Sequence, residues 1–268
     1  MDFPENDRVR LEMTADGIAV VTLARPDKLN ALDTAMFRAL DGAGQALLAS
    51  PGLRCVVLTG AGKGFSAGLD LASMAGLTQP DAPRMAERTH GNANLYQNAA
   101  MVWRKLPVPV IAAIHGVCFG GALQIAGGAD LRIARAGSRF SVAEIKWGIV
   151  PDMGSFAMWR GMVRLDVLRS LTWTAREFSG AEAQQFGFVT ELADDPLARA
   201  MELAASIAAR SPDAVRAAKA LFGMAENAAP DEILLAESVQ QDRLIGTFNQ
   251  MEAVAAELGG RPPEFRDP

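Results

Sequence analysis

With 268 residues, half of them hydrophobic, the chain exceeds one average domain, and one α/β unit with an appended helical part fits that length. Its formal net charge is −5, acidic and basic residues are intermixed, and no basic stripe is interleaved with aromatics, which excludes nucleic acid as a partner. Cys55 and Cys118 stand far apart in apolar segments and only two histidines are present, so buried free thiols are expected and no metal site is assigned.

Met1 to Arg8 is charged and interrupted by Pro4, and no apolar run approaches the ~18 residues of a membrane span. The expectation is a cytoplasmic chain without a signal sequence or a membrane partner. Val9 to Met13 and Ile18 to Leu23 flank the turn pair Asp16-Gly17 and read as a hairpin. Asp33 or Thr34 then caps a helix running to about Ala49, with Met36, Phe37, Leu40, Ala43, Leu47 and Leu48 at helical spacing. Pro51-Gly52 stops it. Cys55 to Thr59 is short, β-rich and glycine-bounded, as a buried strand is, and Val108 to Ile114 and Leu131 to Ala134 repeat the pattern. Strands alternate with helices, which favours an α/β sheet.

Between Ala72 and Lys105 the first half reads as a mobile flap, with a helix expected from about Pro83. From Pro196 the chain becomes a series of Ala-rich helices, broken near Ser211-Pro212 and Ala229-Pro230 and ending near Leu258. Serine before proline at the first break reads as an N-cap with proline at the first helical position. The expected division is a core over residues 1–195 and a helical region over 196–268 that serves oligomerisation and pocket closure.

Gly60-Ala61-Gly62-Lys63-Gly64 is not a phosphate loop: Val57 stands where a Walker loop needs its first glycine, and Gly64 where it needs Ser or Thr. Two other glycine-bearing turns carry more chemistry. Phe65-Ser66-Ala67-Gly68-Leu69-Asp70 and Gly116-Val117-Cys118-Phe119-Gly120-Gly121-Ala122-Leu123-Gln124 each follow an apolar strand and open a helix. Such turns leave backbone N–H groups unpaired, and the helix dipole reinforces their attraction for negative charge. Two of them facing one carbonyl make an oxyanion hole, and the small residues Ala67 and Gly121 permit close approach to the amides. Downstream, Glu144 and Asp152 bring two carboxylates into an otherwise mostly apolar stretch. Ile145, Trp147, Ile149 and Val150 are expected to desolvate them and raise their pKa. A helix N-cap ahead of Gly154-Ser155 is the plainer role for Asp152. His90 and His115 read as structural, and Trp103 and Trp147 as core or pocket wall.

Four ordered motifs resemble the crotonase superfamily, the enoyl-CoA hydratases and isomerases. They are Arg25-Pro26-Asp27-Lys28-Leu29-Asn30-Ala31-Leu32, Phe65 to Asp70, Ile114 to Gly121, and Ala129-Asp130-Leu131-Arg132-Ile133-Ala134. The resemblance runs from about Val9 to Phe265. It implies an α/β fold built as a spiral of ββα repeats with a C-terminal helical trimerisation region, assembling as a homotrimer or a dimer of trimers. It also implies an acyl-CoA thioester as the partner, with coenzyme A part of the substrate and no separate cofactor. By this likeness the amides of Ala67 and Gly121 hold the thioester oxygen, and Lys28 and Leu29 lie by the CoA moiety. Ser66, Gly68, Leu69 and Asp70 would line the adenine side. Gly120, Pro151 and, for a CoA phosphate, Arg261 are further substrate-binding candidates.

The hydratases of this family work with two glutamates around one water. The later one matches Glu144, but the earlier one matches Gln124, whose amide orients water yet exchanges no carboxylic proton at neutral pH. A general acid–base group is worth about 10²- to 10⁴-fold, so hydration is expected to be poor. Asp152 resembles the aspartate that dienoyl-CoA isomerases pair with the glutamate at Glu144, although those enzymes also carry an aspartate at the Gln124 position. The expected function is double-bond isomerisation through an enolate, with Glu144 and Asp152 shuttling protons and Gln124 positioning water or thioester. Hydration of a 2-enoyl-CoA by Glu144 with Gln124-held water is the first alternative, and a catalytically idle acyl-CoA binder the second.

Overall fold

Alternate residues of Cys55-Val56-Val57-Leu58 join different hydrophobic clusters, because successive strand side chains point to opposite faces of a sheet and both faces here are covered. The computed structural model describes residues 6–74, 76 and 84–268. In it β1 (Val9–Met13) and β2 (Ile18–Leu23) form the expected antiparallel hairpin, Val9 opposite Leu23. β3 (Cys55–Gly60), buried along its whole length, runs parallel to β2. β4 (Val110–Ile114), β6 (Leu131–Ala134) and β9 (Glu191–Leu192) continue in parallel, giving the order β1-β2-β3-β4-β6-β9. A second sheet joins β5 (Val117–Phe119), β7 (Arg139–Ser141) and β8 (Phe178–Ser179).

On one face of the large sheet Val56, Leu58, Val110 and Ala112 pack with α1 (Thr34–Leu48), α3 (Leu95–Lys105) and α4 (Gly121–Gly127). On the other, Cys55, Val57, Ile111 and Ile133 meet Ala200 and Ala204 of α8 (Pro196–Ala208). Small alanines let that helix lie close to the strands. Asp33 is the residue that caps α1, accepting from Met36 N–H.

From β3 onward the chain winds as a spiral in which one strand of each repeat joins the large sheet and the next segment joins the small one. β4 is followed by β5 and α4, and β6 by β7 and then a 3-10 turn over Glu144–Trp147. The repeat that starts with β3 contributes Ser66, which forms a parallel bridge with Cys118, and Cys118 in turn pairs in parallel with Phe140. Counting three residues on from this row, Leu69, Gly121 and Ala143 occupy equivalent places at the ends of neighbouring strands. The two glycine-bearing turns and the turn that carries Glu144 are therefore the same corner of successive repeats. That repetition is why segments so distant in sequence meet.

Between the corners run short helices: α2 (Leu71–Met74), α5 (Ser155–Trp159), α6 (Leu165–Thr174) and α7 (Gly180–Phe186). The helix expected from Pro83 begins instead at Leu95, because Asn94 and Gln97 form a capping box there, and residues 84–94 hold turns and a bridge between His90 and Ala93. Most of the segment read as a flap, residues 75 and 77–83, lies outside the described residues.

α9 (Pro212–Ala225), α10 (Pro230–Leu244) and α11 (Phe248–Gly259) follow α8. Ser211 stands at the N-cap position before Pro212, but its side chain makes no capping bond. α9 is held to the core by Lys219, whose ammonium reaches Asp130 and the Val108 carbonyl at 2.7 Å each. α10 has no buried residue, and Leu234, Leu235 and Ile245 are exposed. Among the described residues no helix is long and apolar enough to cross a membrane.

Candidate active site

Gly68 and Gly120 hold equivalent positions in the first two corners and both take positive φ, 84° and 51°. A side chain there would be strained by the backbone, and at Gly68 space forbids it as well. A Cβ on Gly68 would stand 2.4 Å from the Phe119 carbonyl oxygen and 3.7 Å from Gly121 N, while one on Gly120 would stand 3.1 Å from Glu144 Oε1. The corners touch through bare backbone.

This arrangement corrects one assignment. The Ala67 N–H is donated to the Leu29 carbonyl at 2.9 Å, so it is not free for a ligand. The N–H groups of Leu69 and Gly121 have no acceptor among the described residues, and both residues line one cavity of about 430 Å³. Parallel register requires this outcome: if Gly121 is the open amide of one repeat, its counterpart three residues past Ser66 is Leu69, not Ala67.

Gln124, Glu144 and Asp152 line the same cavity, with Phe37, Tyr96 and Met153 among its walls. Glu144 is 6% exposed and Gln124 1% exposed. Gln124 Nε2 donates to Glu144 Oε1 at 2.6 Å, and Gln124 Oε1 accepts the Met153 N–H at 2.7 Å. The backbone donor identifies the amide oxygen, so the nitrogen must face Glu144. Glu144 Oε2 is buried without a hydrogen-bond partner. Desolvation pushes the Glu144 carboxyl above its usual range, opposed by its own backbone N–H and by the Gln124 bond and assisted by the charge of Asp152.

Asp152 is solvent-exposed on one side, yet burial of its other side raises its pKa too. The cap of α5 is Gly154, which leaves Asp152 outside the helix N-terminus. The expected desolvating neighbours divide. Ile149 and Val150 line the cavity, whereas Ile145 and Trp147 do not and are 39% and 50% exposed; Trp147 is thus neither core nor pocket wall. Trp103 is fully buried. Pro151 is buried, and its carbonyl accepts from the Ser155 hydroxyl at 2.8 Å. Tyr96, the only tyrosine, packs edge-on against Phe37, and burial and the charge of Asp152 raise its pKa. Neither ring had been assigned to the site, because nothing in the local pattern separates a pocket wall from core.

Of the residues expected on the CoA side, Ser66 and Asp70 are tied into the fold by side-chain bonds. Ser66 is fully buried and its hydroxyl donates to the Asn30 carbonyl at 2.7 Å, which corrects its placement along the adenine. Asn30, also fully buried, ties its amide to the carbonyls of Ala61, Gly64 and Phe65. The Asp70 carboxylate is held at 2.6 Å by Arg25, which keeps its pKa below the ordinary range. Arg261 is committed to Glu252 at the end of α11. Lys28 is exposed and Leu29 half-exposed on the adjoining 3-10 turn, outside the cavity lining. His115 Nε2–H donates to the Gly62 carbonyl at 3.0 Å, and His90 lies 3.4 Å from Asp41. A larger cavity of about 860 Å³ lies among α3, α5 and α9 and contains none of the assigned site residues.

Comparison with known proteins agrees with this fold. The enoyl-CoA hydratase/isomerase family profile matches residues 13–267. The mouse mitochondrial Delta(3,5)-Delta(2,4)-dienoyl-CoA isomerase is 32% identical over 249 residues, 90% of this chain and 76% of that protein. The enoyl-CoA hydratase EchA19 of Mycobacterium tuberculosis is 34% identical over 200 residues, 74% of each chain. A crystal structure of an enoyl-CoA hydratase from Bacillus anthracis superposes with a TM-score of 0.86 at 26% identity, covering 96% of this chain and 98% of that one. Spiral fold, paired corners and sequence relationship together place the chain in the enoyl-CoA hydratase/isomerase family, within the crotonase superfamily.

Proposed function

We propose that the chain is a double-bond isomerase of acyl-CoA thioesters. The observation that carries this reading is the composition of the 430 Å³ cavity: two carboxylates with raised pKa, Glu144 and Asp152, and one amide, Gln124, that transfers no proton. The thioester oxygen sits between the N–H groups of Leu69 and Gly121. Glu144 Oε2 removes a proton from C2, and the electron pair passes into the carbonyl as an enolate, where the two amides are worth about 10²- to 10³-fold each. Asp152, protonated, returns a proton further along the conjugated chain. The double bonds move, Glu144 leaves protonated and Asp152 ionised, and one proton exchange with solvent restores both.

Desolvation serves both carboxyls here. It makes Glu144 a stronger base than a surface glutamate and keeps a proton on Asp152 nearer neutral pH. The similarity to the mouse dienoyl-CoA isomerase supports the same reaction, and the similarity to the mycobacterial hydratase supports water addition as the second reading. Incubation with a 3,5-dienoyl-CoA and, separately, a 2-enoyl-CoA tests the choice. Conversion of the first to a 2,4-dienoyl-CoA with slow hydration of the second is expected. Rapid hydration abolished by Gln124→Ala supports the hydratase reading instead, and CoA binding without turnover supports an idle binder.

We also propose that the protein assembles as a homotrimer or a dimer of trimers. α10 is too short of buried surface to be stable alone, and its exposed Leu234 and Leu235, with Ile245 just past its end, are the face to be covered. Sedimentation of the native protein and of Leu235→Glu reports on this assembly.

A further inference from the structure

We propose that Gln124 is a positioning residue that acts as a spacer between the two carboxylates, and that it keeps Glu144 a base with a single working oxygen. The proposal rests on the proton-shuttle reading above. Gln124 bonds in two directions: its nitrogen holds Glu144 Oε1 at 2.6 Å, and its oxygen holds the N–H of Met153, the residue next to Asp152, at 2.7 Å. One rigid amide, 1% exposed, thus links the turn carrying the first carboxylate to the loop carrying the second. How far a proton is carried along the acyl chain depends on that separation.

The same bond divides the two oxygens of Glu144. Oε1 is enclosed by the Gln124 amide and by the Gly120 backbone, where an added Cβ would stand 3.1 Å away. Oε2 is buried and unpartnered. Only the second oxygen is available to a substrate proton. Because an amide does not ionise, Glu144 titrates without sharing its proton across this contact. A glutamate at position 124 fits the same space and still accepts from Met153, but at 2.6 Å two carboxylates must share a proton. Asparagine is one methylene shorter and cannot span both partners.

Three proteins decide the matter: native, Gln124→Glu and Gln124→Asn, each labelled with carbon-13 at the glutamate carboxyls. Carboxyl titration by NMR is paired with two rates, deuterium wash-in at C2 of a saturated acyl-CoA and isomerisation of a 3,5-dienoyl-CoA. In Gln124→Glu the Glu144 titration and the acid limb of wash-in are expected to move upward by roughly one pH unit or more. In Gln124→Asn isomerisation, which needs both carboxylates at a fixed separation, is expected to fall at least about tenfold further than wash-in, which needs only Glu144. An unmoved Glu144 titration in Gln124→Glu overturns the proposal. So does an equal fall of both rates in Gln124→Asn, which is what a merely structural role gives. If the native protein shows no isomerisation while the titration still moves in Gln124→Glu, the assigned reaction fails and the link to Glu144 stands.

Discussion

Gly68 lies against Phe119 so closely that a methyl group on the glycine would stand 2.4 Å from the Phe119 carbonyl oxygen. This approach brings the Leu69 and Gly121 amides to one cavity, because the two corners can touch only where neither has a side chain. Gly68→Ala adds a backbone clash to a φ of 84° and is expected to lower stability by roughly 1–3 kcal/mol. Activity is expected to fall by about 10²-fold, since a displacement near 1 Å is enough to misplace the oxyanion donors. Thermal unfolding and steady-state rates measure the two effects.

Replacing single amides by esters separates Leu69 from Ala67. Incorporation of the α-hydroxy analogue of leucine at Leu69 removes one N–H without altering the side chain, and kcat is expected to fall about 10²- to 10³-fold with stability little changed. The corresponding change at Ala67 removes the donor to the Leu29 carbonyl and is expected to cost about 1 kcal/mol of stability with little effect on kcat. Rates and melting temperatures of the two ester proteins give the comparison.

Glu144→Gln is expected to reduce turnover by about 10²- to 10⁴-fold and yet to stabilise the fold at neutral pH. The native carboxyl has a pKa raised above its ordinary value of 4.5 by desolvation. Between the unfolded and the folded pKa the native state binds more protons than the unfolded state, so stability is lost as pH rises through that window. Below pH 4.5 the penalty is absent, and above the raised pKa it is complete. Denaturant unfolding of both proteins across this range should show a gap in favour of Glu144→Gln that opens as pH rises.

Asp152→Asn distinguishes the two acids. With Glu144 intact, deuterium wash-in at C2 is expected to persist within about tenfold, while isomerisation, which needs a returning proton, falls by about 10²-fold or more. Parallel measurement of exchange by mass spectrometry and of isomerisation by absorbance checks this, and equal losses would remove Asp152 from its role.

The hairpin, the buried strands and the C-terminal helices were legible because their apolar periods are regular and their ends are marked: Asp16-Gly17 turns the hairpin, Asp33 caps α1, and Pro196, Pro212 and Pro230 open α8, α9 and α10. That Gln124, Glu144 and Asp152 belong to one place was also legible, from the family resemblance, and the three line one cavity. The start of α3 was not, since Asn94 with Gln97 outweighs any signal near Pro83. Which amide is free was harder still. Hydrogen-bond accounting at Ala67 depends on the Leu29 carbonyl, supplied by a turn whose Leu29 and Asn30 both take positive φ, a conformation that no local propensity predicts. The hydroxyl of Ser66 was misplaced for the same reason: a partner distant in sequence, the Asn30 carbonyl, claims it first.

A crystal structure of the protein with a non-reacting acyl-CoA thioester would show where the carbonyl binds. The thioester oxygen is expected within hydrogen-bonding distance of both Leu69 N and Gly121 N, with Glu144 Oε2 facing C2. A carbonyl oxygen held elsewhere, or Glu144 turned away from the acyl chain, would contradict the mechanism.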